Sequence, residues 1–159
     1  NWDYRVRGWP KDKSLVRHIV LGILIAAGIL LFGFLVRLVI SGTPDPAEWS
    51  AFNTDARTVT HFFTLAGAVF GASTGYAMML HYARFNPKGA WVKRGLRYLV
   101  GVIVLLGLFF GLDIAFAYLA PDESTMGYIL RFFRYGIATY WASFLAPWLF
   151  LKIKLVDPG

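Results

Sequence analysis

The sequence predicts an all-α integral membrane protein, a four-transmembrane-helix bundle, on three observations. Hydrophobic residues make up 57% of the 159 and charged residues only 16%, where a soluble globular domain carries about 25% charged. Four apolar stretches are each long enough to cross most of a hydrocarbon core. Twelve of the 16 Lys and Arg residues fall on the segments that four crossings leave on one face, the bias that cytoplasmic loops carry.

The first span, about 15–40, is built on the uncharged run Ile19 to Val36; at 1.5 Å per residue it covers most of a ~30 Å apolar layer. The second, about 59–82, holds the run Phe62 to Leu80, and the third, about 96–119, is apolar from Tyr98 to Leu112 and then carries Asp113. The fourth, about 127–151, enters through Arg131 and Arg134 and is uncharged from Tyr135 to Leu151. Residues 1–159 thus form one membrane domain. Between spans 1 and 2, Asp45-Pro46-Ala47-Glu48 reads as a capped helix start with Trp49 and Phe52 on one side. This pattern predicts a short interfacial helix. Residues 1–14 are too polar to serve as the apolar stretch of a signal peptide.

Orientation follows from the cations. Arg5, Arg7, Lys11, Lys13 and Arg17 precede span 1, the loop between spans 2 and 3 adds Arg84, Lys88, Lys93, Arg94 and Arg97, and Lys152 and Lys154 end span 4. The opposite face holds Arg37, Arg57, Arg131 and Arg134. Both termini are therefore expected to be cytoplasmic. The basic loop, with Phe85 and Trp91 at headgroup level, is expected to meet anionic lipid through Arg84, Lys88, Lys93, Arg94 and Arg97.

Span 2 carries Gly67, Gly71 and Gly75 at four-residue spacing, flanked by Ala68, Ala72 and Ser73. Such a flat stripe lets a second backbone approach closely where no apolar driving force separates lipid from helix, so span 2 is the expected centre of packing. Gly22 and Ala26 in span 1, Gly107 and Gly111 in span 3, and Ala138, Ala142 and Ala146 in span 4 repeat the device. Asp113 and Arg134 lie similar distances from the ends of neighbouring antiparallel spans and are expected to pair. The pair reads either as an ion relay or as a structural bridge toward the outer edge.

The absence of cysteine excludes disulfides, thiolate metal sites, iron–sulfur clusters and cysteine nucleophiles. No Glu-x-x-His pair, His-Glu-x-x-His or phosphate loop occurs. His18 and His81, at the cytoplasmic ends of spans 1 and 2, are considered as haem ligands, but each lies beside a cationic flank where a hydrated histidine costs little. No cofactor is expected. Thr64, Ser73, Thr74, Thr139 and Ser143 are expected to bond back to their own helices. The net charge of +7 is spread over span flanks and offers no basic face for nucleic acid.

The loop Tyr82-Ala-Arg84-Phe85-Asn86-Pro87-Lys88-Gly89-Ala90-Trp91-Val92-Lys93-Arg94 and the stretch Leu130-Arg131-Phe132-Phe133-Arg134-Tyr135, with Trp141 and Ala146-Pro147-Trp148-Leu149-Phe150, resemble the carboxy-terminal membrane half of bacterial type-2 phosphatidic acid phosphatase superfamily proteins. The resemblance covers roughly 65–155. It implies a helical membrane module, here without the family's catalytic Lys with Arg-Pro, Pro-Ser-Gly-His, and Ser-Arg with His and Asp, so no catalytic residue carries over. With the charge bias, it implies a multi-pass protein of a bacterial cytoplasmic membrane.

These readings lead to an expected non-catalytic accessory subunit that packs against other integral membrane subunits and stabilises a larger complex, a respiratory or photosynthetic electron-transfer complex among the candidates. The alternatives are the accessory carboxy-terminal half of a lipid phosphate phosphatase and a small transporter or proton channel.

Overall fold

The structure, a computed structural model, describes residues 11–42, 59–82, 85–86, 91–121, 124–155 and 157–158. Helix α1 is Lys11–Ile40, α2 is Thr60–Tyr82 and α3 is Trp91–Ala117; α4, Thr125–Tyr140, passes through a π-helical segment, Trp141–Leu145, into α5, Ala146–Lys152. Two-residue strands β1, Phe85–Asn86, and β2, Asp157–Pro158, pair antiparallel, which brings the connection between α2 and α3 to the tail after α5. The expected interfacial helix at Asp45–Phe52 lies outside the described residues.

Among the described residues three helices are long and apolar enough to cross a membrane: Leu15–Ile40, Thr60–Tyr82 and Trp91–Ala117. The remaining helical run is divided by its π segment into pieces of 16, 5 and 7 residues. Helix α3 begins five residues before the start that hydropathy suggests. Lys93, Arg94 and Arg97 are good helix formers and nothing after Gly89 breaks the backbone, so the basic segment joins the helix rather than the loop.

The interior is made of small side chains. Ala26, Ala66, Ala77, Ala138 and Ala146 are buried together with Val59, Phe144 and Phe150, while Leu24, Leu31, Phe32, Leu99, Ile103 and Phe110 are among the large apolar side chains left exposed. Water would not tolerate this inverted arrangement. A bilayer does, because the outer surface then meets lipid tails and helix association depends on close backbone packing.

Helix α2 lies at the centre, between α1 and α4. Against α1, Gly22 faces Ser73 and Gly33 faces Phe62: residue numbers rise on one helix as they fall on the other, so the two run antiparallel. Against α4, Phe63 stacks on Tyr128 at 5.5 Å between ring centroids, Gly67 faces Phe132, Gly71 faces Gly136, and Gly75 faces Tyr140. The constant offset of these pairs makes α2 and α4 parallel and in register. Helix α3 has no buried residue and lies antiparallel along the run from α4 into α5, from Gly101 beside Phe150 of α5 to Asp113 beside Arg134 of α4.

The start of α4 is capped by Ser124, whose hydroxyl accepts from the Gly127 N–H at 2.9 Å, an arrangement that contributes about 1 kcal/mol. The π segment precedes Pro147, whose missing N–H and bulky ring conflict with an ordinary helical carbonyl four residues back. The Ala146 N–H bonds to the Trp141 carbonyl instead. The widened turn also changes the helix face: Ala138 and Ala146 are buried while Ala142 is exposed, so the expected alanine stripe of span 4 is interrupted where the π turn holds Ala142. At the end of α5, Lys154 takes a left-handed conformation at φ 57°. The Leu155 N–H bonds to Phe150 O at 2.9 Å and the Lys154 N–H to Leu151 O at 3.2 Å, a paired closure usually built on glycine. Leu155 then packs beside Phe150.

Candidate functional site

Two arrangements distinguish this bundle from a plain set of apolar helices: a glycine seam and an interhelical charge cluster. At the seam, a Cβ on Gly67 would overlap the Phe132 carbonyl and one on Gly71 would overlap the Gly136 carbonyl and the Thr139 hydroxyl, while one on Gly75 would come within 2.8 Å of Ser143 Cβ. Backbone therefore meets backbone along α2 and α4. Sequence reading identified the α2 side of this seam and missed Gly136, which is isolated in sequence and pairs with Gly71 only through tertiary register. By contrast, a Cβ on Gly107 or Gly111 would meet nothing within 4 Å. Both face away from the bundle because α3 touches α4 along a different side.

Hydroxyls near the seam are largely satisfied within their own helices. Ser73 donates to Val69 O at 2.6 Å, Thr64 to Thr60 O at 3.2 Å, Thr139 to Tyr135 O at 2.8 Å and Ser143 to Thr139 O at 2.7 Å. Thr74 differs: its Oγ1 is buried without a hydrogen-bond partner among the described residues. Tyr140 reaches across to α2, where its hydroxyl donates to Met78 Sδ at 2.9 Å.

The charge cluster joins α3 to α4. Arg134 Nη1 pairs with Asp113 Oδ1; the arginine side chain is 9% exposed and the aspartate 50%. The guanidinium carbon lies 5.2 Å from the ring centroids of both Phe109 and Tyr135, and those rings meet edge to face at 5.4 Å. Phe109 stands one helical turn before Asp113, so the carboxylate and the ring present themselves together. Tyr135 follows Arg134 directly. The ion pair and the ring contacts together neutralise and desolvate a cation that hydrocarbon alone would not hold.

The pair's place along the bundle follows from the helices that carry it: Asp113 stands one turn before the end of α3 at Ala117. The register with α2 sets Arg134 level with Val69, two residues short of Gly71 at the middle of that helix. Sequence alone could not show this, because α4 extends beyond its uncharged run and its offset from α2 is a tertiary property. From the pair, a cleft follows the seam between α3 and α4 past Phe116, Leu130 and Arg131 to Ala120 and Gly127 near the connection of the two helices.

At the opposite end of α3, Lys93 and Arg94 are exposed and Arg97 is half-buried. Arg94 stacks over Trp91 at 5.2 Å, Arg97 Nε donates to Lys93 O at 3.1 Å, and Lys152 lies 4.0 Å over Trp148. Arg84 and Lys88 lie outside the described residues. His81 meets Tyr82 edge to face at 4.5 Å. Among the described residues no group of three His, Cys, Asp or Glu side chains gathers in a metal-binding arrangement.

No curated protein and no solved structure matches this chain. Residues 63–158 match the family model for the PAP2 superfamily phosphatase, transmembrane extension. The match takes in α2, α3, α4 and α5, the seam and the charge cluster together, and covers more than half of the multi-pass membrane chain. The protein belongs to the PAP2 superfamily phosphatase transmembrane extension family.

Proposed function

We propose that this chain is a non-catalytic, four-crossing membrane module that packs against a phosphatase centre carried elsewhere and holds it at the bilayer. Membership in a family of phosphatase transmembrane extensions is the observation that carries this reading. It favours a phosphatase assembly over the electron-transfer complex that sequence alone left open. The packing supports a structural role: small residues and backbone meet inside, large apolar side chains face outward, and the polar groups of the seam are mostly engaged within their own helices.

Four crossings are supported by direction. Two adjacent helices that run parallel, as α2 and α4 do, require a return between them, and α3 supplies it. The termini then share a side, and the cation bias makes that side cytoplasmic. Because the chain contains no cysteine, single Glu48→Cys and Lys88→Cys variants test this directly with a membrane-impermeant thiol reagent. Glu48→Cys is expected to react from outside and Lys88→Cys only after the membrane is opened; reaction of both from one compartment overturns the topology.

Purified in nanodiscs, the chain alone is expected to release phosphate from phosphatidic acid at the background rate. Isolation from native membranes after cross-linking is expected to bring down a chain bearing phosphatase activity. Hydrolysis by the isolated chain, or a stable lone monomer in cross-linked native membranes, overturns the accessory reading.

A further inference from the structure

Three of the cations expected in the basic loop, Lys93, Arg94 and Arg97, stand instead on the first two turns of α3, and the helix gives each of them a face. Lys93, Arg97, Val100 and Gly101 share one side. Val100 packs against the Ala146 and Phe150 pair and Gly101 lies beside Phe150, so that side looks toward α5. Because the two helices run antiparallel, Arg97, one turn before Gly101, stands level with Lys154, four residues after Phe150, where the chain closes α5. Trp91 beneath Arg94 and Trp148 beneath Lys152 set an aromatic ring at this end of each helix, the level at which such rings meet lipid headgroups. Arg97 Nε donates to the Lys93 carbonyl, but Nη2 is covered and has no hydrogen-bond partner among the described residues. Residues 83–112 and 146–159 hold seven Lys or Arg and one acid, Asp157; the ion pair of α3 with Arg134 lies at its other end.

We propose that the phosphate of an anionic phospholipid is held between these two helix ends, on Arg97 from α3 and Lys154 from α5. Arg97 supplies a planar fork of donors that matches phosphate oxygens, and Lys154 a point charge opposite it. A charged donor covered by protein at the edge of a bilayer lacks the water that would otherwise satisfy it, and a headgroup phosphate restores both an acceptor and the opposite charge. The acyl chains then follow the exposed flank of α3 through Leu96 and Ile103. A diffuse basic surface attracts anionic lipid through each cation alike; in this site position decides, and Arg97 between the helices counts for more than the exposed Arg94. The inference rests on the membrane-module reading for the bilayer setting alone and gives that module a lipid ligand.

The test uses the full chain in phosphatidylcholine nanodiscs with a rising fraction of phosphatidylglycerol, and native mass spectrometry counts the lipid that stays on the released protein. One phosphatidylglycerol retained per chain, saturating as its fraction rises, is the expected result. Arg97→Gln is expected to raise the half-saturating fraction about tenfold, and Arg97→Lys less, because charge remains without the fork. Lys154→Asn, which suits the left-handed backbone at that position, is expected to raise it as well. Arg94→Gln removes the same charge as Arg97→Gln and is expected to shift it distinctly less. Retention without saturation, or equal shifts from Arg97→Gln and Arg94→Gln, overturns the site in favour of a diffuse basic surface. An unchanged fraction in folded Arg97→Gln or Lys154→Asn overturns it outright, as does inorganic phosphate retained in place of the lipid. Should Arg97→Gln fail to fold by circular dichroism, Arg97→Lys carries the test, and retention equal to the parent's counts against the fork. None of these readouts depends on whether a phosphatase chain co-purifies, so failure here and failure of the accessory reading are separable.

Discussion

Gly71→Leu is expected to separate α2 from α4 and destroy the folded bundle, the largest effect of any single apolar substitution in this chain. At Gly71 the first added carbon already overlaps the Gly136 carbonyl and the Thr139 hydroxyl. A backbone carbonyl cannot rotate away as a side chain can, and the central pair of helices must therefore part. Overpacking a core costs about 1–3 kcal/mol where side chains can give way; here the expected loss is about 3 kcal/mol or more. Gly67→Leu should behave similarly, through the Phe132 carbonyl. The internal controls are Gly107→Leu and Gly111→Leu, whose added carbons start from open space and should stay within about 0.5 kcal/mol of the parent. Unfolding in mixed micelles, read by circular dichroism, separates these outcomes. Equal losses at Gly71 and Gly107 would remove the claim that the seam, rather than glycine content, organises the fold.

The second large effect is an asymmetry at the ion pair. Asp113→Ala leaves Arg134, 9% exposed, as an uncompensated buried cation, and is expected to destabilise the bundle by about 3 kcal/mol. Arg134→Met leaves Asp113, which is 50% exposed and can keep water, while methionine fills part of the space between Phe109 and Tyr135. Its cost should be smaller, about 1–2 kcal/mol, mainly from lost packing and cation–π contact. The double substitution is expected to be no worse than Asp113→Ala alone, since the stranded charge is gone. A double-mutant cycle in the same micelles measures the coupling; additive losses would show that the two side chains stabilise the protein independently. The functional alternative, an ion relay through this pair, predicts that Asp113→Asn abolishes flux in liposomes, and unchanged flux removes it.

Much of this architecture was legible from residue patterns because the bilayer limits the choices. A chain in hydrocarbon must satisfy its backbone internally, so long apolar runs from Leu15 to Ile40 and from Thr60 to Tyr82 could become little other than helices. The four-residue spacing of Gly67, Gly71 and Gly75 marked a face for close approach, since the helical repeat alone places such residues in a row. Asp113 and Arg134 were matched by their positions on adjoining spans.

Sequence by itself thus determined the three long apolar helices, the glycine face of α2 and the partners in the ion pair, all properties set by one helix's periodicity or by a short connection. Tertiary structure alone decided that Gly136 meets Gly71, that Gly107 and Gly111 stay open, that the π turn removes Ala142 from its stripe, and that Arg134 lies level with Val69 between two rings. The physical reason is that rotation and sliding of one helix against another cost no local backbone energy. They are set by where whole surfaces fit, and no single helix carries that information.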